Sequence, residues 1–198
     1  MNNTMTETLF KLIFAGVFLA ASAGVQASLQ EGIAAYNQGD HQSALNKFEP
    51  LADKGNAEAQ LYLAKIYVQG KGSQPDYEKA MSWTRKAVER KSVEAQNFLG
   101  FLYYYGMGEA QDYGKAMLWY RKAAERGNAK AQVNLGSMFA NGQGVPQDLI
   151  IAYKWFKVAE ASGEADASVK LKATEAQMTA RQIEEAEALV QKWLEKRK

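Results

Sequence analysis

The chain has 198 residues, with 24 Lys and Arg against 22 Asp and Glu, and it has no cysteine. A net charge of +2 does not supply the concentrated basic face that a nucleic acid requires, so we expect no nucleic-acid partner. The absence of cysteine excludes a disulfide framework and a lipid attached to cysteine, so the fold must depend on its hydrophobic core.

The first stretch has the pattern of a secretory signal peptide. Lys11 precedes an apolar run at residues 12–21, and Val25 and Ala27 supply the small residues of a cleavage site. The run is shorter than the roughly 20 residues that cross a bilayer. We therefore expect cleavage of residues 1–27, a periplasmic or secreted mature chain, and no stable membrane insertion after cleavage. An uncleaved membrane anchor is the alternative.

Residues 28–54 predict an N-terminal helical hairpin of the tetratricopeptide type. A Gly-Asp turn at residues 39–40 separates its two helices. The apolar stripe of the first helix consists of Ile33, Ala34 and Tyr36. His41 follows the turn and is expected to lie at the surface.

Residues 55–162 contain three copies of a 36-residue unit. Each copy places a Gly-x-Gly element, an aspartate, an alanine and a tryptophan at the same positions. The tryptophans are Trp83, Trp119 and Trp155. Such a frame predicts a solenoid, because each unit can bury its apolar face only against its neighbours. We expect the tryptophans to pack in the core.

Each unit predicts two helices joined by a glycine-containing loop. The first helices are expected at residues 57–69, 93–105 and 129–141. The first glycine of each Gly-x-Gly element is expected to end its helix in a left-handed conformation. The expected N-caps of the second helices are Asp76, Asp112 and Asp148. The residues that are small where the second helix must come close are Ala64, Gly100 and Gly136.

After the third unit the frame starts again but is not completed. Residues 163–198 lack the Gly-x-Gly element, although Val169 is in frame with Val133. A capping box beginning at Thr179 starts a long amphipathic helix. We expect this helix to cover the open end of the stack.

The repeated unit closely resembles the Sel1-like repeat, a relative of the tetratricopeptide repeat. The signature is Ala-x-Ala-Gln-x-x-Leu-Gly, then Gly-x-Gly, then Asp-x-x-Lys-Ala-x-x-Trp, with Ala64 and Lys91 as departures from glycine. The resemblance implies an all-α protein: an α-solenoid, a right-handed superhelix of antiparallel helical hairpins, with a capping C-terminal helix. It also implies a protein that binds other proteins, often in bacterial envelope or signalling pathways.

No catalytic constellation stands out. His41 is the single histidine, and the chain has no Ser-x-x-Lys, His-Glu-x-x-His or Gly-x-Ser-x-Gly motif. We therefore expect no catalytic residues, no metal site and no cofactor. An envelope hydrolase is the least favoured function.

A partner is expected on the first helices, which line the concave face of related superhelices. A non-core seam steps by four, three and four residues along each of them. In the first unit it reads Glu58, Tyr62, Lys65 and Gln69. In the second it reads Glu94, Phe98, Phe101 and Tyr105, and in the third Lys130, Asn134, Ser137 and Asn141. The second unit is thus aromatic where the third is polar, and Tyr104 lies beside its seam.

Aromatic anchors flanked by polar groups are typical of a peptide-binding groove. The candidate partner-binding residues are Tyr62, Lys65, Gln69, Phe98, Phe101, Tyr104, Tyr105, Lys130, Asn134, Ser137 and Asn141. The two asparagines are expected to bond a peptide backbone and the two lysines to meet carboxylates. Alternatively, Phe98 and Phe101 pack against the neighbouring hairpin.

The favoured function is an exported scaffold for protein–protein interaction, an adaptor or regulator of the bacterial cell envelope. Its partner would be another protein or a peptide segment, favourably an envelope protein. The alternative is a periplasmic protein that binds peptidoglycan or carbohydrate fragments on the same tyrosine-rich face. The sequence favours no particular oligomeric state.

Overall fold

The structure is a computed structural model that describes residues 24–70 and 74–196. The predicted leader lies outside these residues except for 24–27, which form an exposed helical turn. Gly72 of the first Gly-x-Gly element also lies outside them. Within the described residues no strand occurs, and no helix is both long and apolar enough to cross a membrane.

The described residues form successive helices joined by short loops. They are α1 (24–38), α2 (His41–Asp53), α3 (Ala57–Gln69), α4 (Tyr77–Glu89), α5 (Val93–Tyr105), α6 (Tyr113–Glu125), α7 (Ala129–Asn141), α8 (Leu149–Ala161), α9 (Ala165–Glu175) and α10 (Ala180–Glu195). The hairpins α3/α4, α5/α6 and α7/α8 pack in succession, so the chain is an α-solenoid as predicted. The predicted bounds of α3, α5 and α7 are confirmed.

Local hydrogen bonds set the helix ends where the sequence predicts them. The aspartates at the N-caps of α4, α6 and α8 each accept a hydrogen bond from the backbone N–H three residues later. The glycines that end α3, α5 and α7 have φ of 62°, 69° and 67°, the left-handed region that glycine adopts without strain.

Within the second and third repeats, a glycine on the first helix faces an aromatic ring on the second. A Cβ on Gly100 would lie 2.6 Å from Cδ1 of Tyr120, and a Cβ on Gly136 would lie 2.8 Å from Cε1 of Phe156. Only a glycine allows the helices to come this close. The helix propensity lost, roughly 1 kcal/mol per glycine, is offset by the buried ring.

In the first two hairpins, too, the size of a residue on the first helix is matched to the size of the side chain on the second helix. In α3 the position is Ala64, and the residue in frame with Tyr120 is the smaller Thr84, which is also buried. In α1, a Cβ on Gly32 would lie 2.6 Å from the ring of Phe48. The departure at Ala64 is therefore compensated, and Gly32 has a role that the sequence pattern did not indicate.

The tryptophans differ in burial. Trp155 is 6% exposed and meets Trp193 of α10 edge-on at 6.2 Å between ring centroids. Trp83 and Trp119 are half-buried, and the lysine three residues after each lies over its ring at 3.8 and 4.2 Å. The prediction of a core position is right for Trp155 and only partly right for the others, because α10 covers only the end of the stack.

Helix α10 packs along α8, where the Tyr153 hydroxyl donates a hydrogen bond to Glu187 at 2.6 Å. It starts with the predicted capping box at Thr179. Val169 of α9 is 72% exposed, whereas its equivalent Val133 is buried. The C-terminal helix therefore covers α8 and leaves part of α9 open, which the repeat frame did not predict.

The prediction of a surface position for His41 is wrong. Its side chain is 9% exposed and meets the ring of Tyr36 edge-on at 5.6 Å, because the tight turn brings the end of α1 over the first turn of α2. Neither ring nitrogen has a hydrogen-bond partner among the described residues. The predicted apolar stripe of α1 is also partly wrong. Ala34 is exposed, and Leu29, which the prediction did not include, is buried.

The fit between Gly100 and Tyr120 predicts a coupled effect on stability. Gly100→Ala should destabilise the protein by about 1–3 kcal/mol, since the new methyl overlaps the ring. In a Tyr120→Thr background, which copies the first repeat, the same change should be neutral or stabilising by up to about 1 kcal/mol. Urea unfolding of the four proteins measures this coupling, and equal costs in both backgrounds would contradict it.

Lys91 predicts a stabilising substitution. Among the described residues other than glycine, Lys91 is the one with a positive φ, at 63°. The equivalent residues of the first and third repeats are Gly55 and Gly127. Lys91→Gly should raise the free energy of unfolding by about 1 kcal/mol or less, because it relieves the left-handed strain. Lys91→Ala keeps the Cβ and should give no gain. Chemical denaturation of both variants makes the comparison.

Candidate functional site

The predicted partner-binding residues lie on three first helices. Those on α3 are Tyr62, Lys65 and Gln69, those on α5 are Phe98, Phe101, Tyr104 and Tyr105, and those on α7 are Lys130, Asn134, Ser137 and Asn141. The structure brings six of them together around one cavity and leaves the other five outside it.

The rings on α5 form a continuous aromatic cluster. Phe98 stacks on Phe101 at 5.6 Å, Phe101 contacts Tyr105 at 4.6 Å, and Tyr104 meets Tyr105 edge-on at 4.8 Å between ring centroids. Tyr105 is 56% exposed at the open end of the cluster. Phe98 is half-buried against the cluster of Leu61, Ala87 and Ala95, two of which belong to the preceding hairpin, so for this residue the alternative of packing on the neighbouring hairpin holds.

A cavity of about 300 Å³ lies between α5 and α7. Its lining consists of Phe101, Tyr104, Tyr105, Tyr120, Asn134, Ser137, Asn141 and Lys170. One wall is thus aromatic and the opposite wall carries amide and hydroxyl groups. Such a cavity can receive an apolar side chain while it offers hydrogen bonds to the backbone beside it.

Two of the lining residues were not predicted. Lys170 of α9 is in frame with Asn134, so extending the seam by one more unit would have found it. It supplies the single charge of this lining, which contains no carboxylate. Tyr120 belongs to a second helix and was not part of the seam. Burial raises the pKa of its hydroxyl well above the usual value, so the group stays protonated.

A neighbouring cavity of about 280 Å³ lies between α7 and α9. It shares Ser137, Asn141 and Lys170 with the first cavity and adds polar groups such as Gln147 and Gln177. Together the two cavities form a groove across α5, α7 and α9, with Lys170 at the boundary between them. We call this the concave groove.

A loop residue holds Tyr104 in place. Nε2 of Gln143 donates a hydrogen bond to the Tyr104 hydroxyl at 2.6 Å, and Nε2 of Gln111 donates to the Tyr104 carbonyl at 2.8 Å. Gln143 is the middle residue of the third Gly-x-Gly element. That element ends α7 as predicted, and its variable residue also positions an aromatic wall of the groove.

The predicted residues on α3 contact other side chains of the same chain. Tyr62 stacks on Phe48 at 4.9 Å, Gln69 donates a hydrogen bond to the Tyr36 hydroxyl at 2.7 Å, and Lys65 lies over the Tyr62 ring at 4.7 Å. The N-terminal hairpin supplies the partners of Tyr62 and Gln69, whereas Lys65 contacts a ring of its own helix. These three side chains therefore contribute to hairpin packing and do not line the groove.

Two polar residues of the seam also have contacts in the protein. Asn134 lines the groove and also donates a hydrogen bond from Nδ2 to Oδ1 of Asn97 at 3.0 Å. Burial, and then the positive charge of Lys130, lowers the pKa of Lys65. The two lysines therefore lie close enough to repel each other, outside the groove.

These features define the class: an α-solenoid repeat protein with a groove on its first helices. A family model described as the Sel1 repeat matches residues 57–92, 93–128 and 129–164, which is more than half of the chain. The chain belongs to the Sel1 repeat family. Proteins of this family are commonly scaffolds for protein–protein interaction, and the fold is generally non-enzymatic. No match was found among the curated proteins.

Solved structures support the assignment. A Sel1 repeat protein from Oxalobacter formigenes is 31% identical, with a TM-score of 0.65 over 72% of this chain and 58% of that one. The Escherichia coli protein c5321, a protective antigen with an SLR fold, is 28% identical, with a TM-score of 0.59 over 89% and 46%. Helicobacter pylori cysteine rich protein B is 26% identical, with a TM-score of 0.51 over 65% and 92%.

This chain spans little more than half of the Oxalobacter protein and less than half of c5321. The similarity therefore establishes family and fold. It does not transfer the activity or partners of those longer proteins.

Proposed function

We propose that this Sel1 repeat protein is an exported scaffold, an adaptor or regulator of the bacterial cell envelope, that binds a peptide segment of another protein in the concave groove. The observation that carries the proposal is the cavity between α5 and α7, which combines an aromatic wall, an amide wall and one cation. Peptide-binding grooves use this combination of anchors and backbone hydrogen bonds.

Each wall has a distinct task. An apolar side chain of the peptide packs on Phe101 and Tyr105, while Asn134 and Asn141 offer amide groups to the peptide backbone. Lys170 is the single charge of the cavity lining, so an acidic side chain or a terminal carboxylate is favoured beside it. The expected ligand is a peptide with an apolar anchor next to an acidic group.

Export rests on the leader pattern of residues 1–27. Among the described residues, cleavage after Ala27 would remove only the exposed residues 24–27, and the buried Leu29 would stay on α1. The mature protein would then work in the periplasm or outside the cell, where its partner would be an envelope or secreted protein.

Peptide capture is expected to depend on Tyr105. Peptides selected from a random library on the wild-type protein should bind Tyr105→Ala at least about tenfold more weakly, because the exposed ring is a groove anchor. The thermal melt should stay cooperative, since the ring is largely outside the core. The matched control is Tyr77→Ala, another exposed aromatic that does not line the groove, and it should bind normally.

A binding loss in both tyrosine variants, or in neither, would contradict the peptide groove.

The alternative function, recognition of peptidoglycan or carbohydrate fragments, is favoured by the amide groups beside exposed ring faces. Sedimentation with purified sacculi separates the two. A Tyr105-dependent pellet without peptide capture would favour the saccharide.

Lys170 is expected to set the preference for acidic peptides. Lys170→Gln should weaken binding of an acidic selected peptide by about 1 kcal/mol, roughly fivefold, and should flatten its salt dependence, because one charge pair is lost. Calorimetry at low and high salt measures both effects. Lys172→Gln on the exposed side of α9 is the control, and an equal loss there would point to general electrostatics.

A further inference from the structure

Tyr120 carries a hydroxyl group that hairpin packing does not require. Its ring fills the space beside Gly100, and in the third repeat Phe156 packs in the same way against Gly136 without a hydroxyl. The residue in frame in the N-terminal hairpin is also a phenylalanine, Phe48. The packing at this position therefore explains the ring of Tyr120 but not its oxygen.

The Tyr120 hydroxyl also lacks a partner within the protein. Thr84, in frame in the first repeat, donates from Oγ1 to the Ala80 carbonyl of its own helix at 2.7 Å. The Tyr120 hydroxyl has no hydrogen-bond partner among the residues that the structure describes. It is also not among the buried polar atoms that are sealed from solvent without a partner. The 3% of Tyr120 that stays exposed therefore includes part of its hydroxyl.

That hydroxyl reaches the cavity between α5 and α7, which Tyr120 lines. Burial, and then the neighbouring phenol groups of Tyr105 and Tyr104, raises the pKa of Tyr120, which agrees with a position beside both of these lining residues. The Tyr104 hydroxyl accepts a hydrogen bond from Gln143, and Tyr105 lies at the exposed end of the aromatic cluster. Tyr120 thus supplies a buried, protonated donor to this cavity.

The other groups of the lining favour an acceptor that carries negative charge. The lining contains no carboxylate, and its polar groups besides the tyrosines belong to Asn134, Ser137, Asn141 and Lys170. A hydrogen bond from a hydroxyl to a carboxylate is roughly twice as strong as one between neutral groups. A neutral carbonyl would use only the hydroxyl, whereas a carboxylate also pairs with the ammonium group of Lys170.

The neighbouring cavity between α7 and α9 shows the same arrangement without this donor. Lys170 lines both cavities, but Phe156 stands in the second one at the position in frame with Tyr120. The tyrosine hydroxyl is therefore a feature that distinguishes the first cavity, and it assigns the carboxylate to that cavity.

We propose that the cavity between α5 and α7 is a carboxylate-binding subsite and that the Tyr120 hydroxyl is a ligand-binding donor within it. The carboxylate is the C-terminus or an acidic side chain of the bound peptide. It accepts a hydrogen bond from Tyr120 and pairs with Lys170, while an adjoining apolar group packs on Phe101. This inference rests on the proposed peptide groove and narrows its ligands to those with a carboxylate beside the apolar anchor.

Two small probes test the subsite directly. N-acetyl-leucine carries an apolar side chain beside a terminal carboxylate, and N-acetyl-leucinamide is the same molecule without the charge. In NMR titrations of the full chain, the acid should shift the side-chain amide signals of Asn134 and Asn141. It should bind at least about tenfold more tightly than the amide, because only the acid forms a charge-assisted hydrogen bond. Equal binding of the two probes, or no shift at these signals, overturns the proposal.

Tyr120→Phe removes the hydroxyl and keeps the ring against Gly100. This variant should bind N-acetyl-leucine at least about tenfold more weakly than the wild type. Its melting temperature should equal or exceed that of the wild type, because the hydroxyl has no partner in the protein to lose. A purely structural role would instead lower the melting temperature. Unchanged binding, or a lowered melting temperature, overturns the proposal.

Tyr153→Phe is the matched control. Tyr153 is also 3% exposed, but its hydroxyl donates to Glu187, and it lines neither cavity of the groove. This variant should melt at a lower temperature than the wild type and should bind N-acetyl-leucine normally. A binding loss as large as that of Tyr120→Phe would overturn the assignment to the Tyr120 hydroxyl.

A third probe identifies the source of the carboxylate. N-acetyl-glutamate α-methylamide presents a side-chain carboxylate on a continuing backbone. Tyr120-dependent binding of either acid supports the subsite. The tighter of the two shows whether an acidic side chain or a peptide C-terminus is preferred.

The peptides selected on the wild-type protein separate this inference from the proposed function. If they bind the wild type and Tyr120→Phe equally, the peptide groove stands and the carboxylate subsite is wrong. If N-acetyl-leucine binds in a Tyr120-dependent way but no peptide is selected, the subsite stands and the peptide function is wrong.

Discussion

The close approach of two helices within each hairpin is the constraint on which the rest of the structure depends. A small residue on the first helix meets a larger one on the second, in the pairs Gly32 with Phe48, Gly100 with Tyr120 and Gly136 with Phe156. The ring buried in this way contributes more than the helix propensity that glycine loses. Because the contact recurs at the same place, successive hairpins stack in one frame and their first helices form one continuous face.

That shared core leaves the exposed positions of the first helices free to differ between repeats. The second repeat uses them for aromatic rings and the third for amide and hydroxyl groups, and the groove forms where these two repeats meet. The scaffold also supplies parts of the site. Tyr120 closes a hairpin and lines the cavity, while Gln143 of a helix-ending loop holds Tyr104. Side chains that pack the hairpins therefore also line or support the groove.

The third repeat is the place where the regular stack is interrupted. Beyond it, α10 packs along α8 and buries Trp155, while Ser162 stands where the earlier repeats carry arginine.

The sequence by itself determined the solenoid, the bounds of α3, α5 and α7, and the caps, because each depends on residues a few positions apart or on the repeat period. It also predicted six residues of the groove. Only the tertiary structure decided that Lys170 completes the groove, that Tyr62 and Gln69 contact the N-terminal hairpin, and that His41 is buried. A repeat frame assigns every copy the same surroundings, whereas the copies at the ends of a stack have different neighbours.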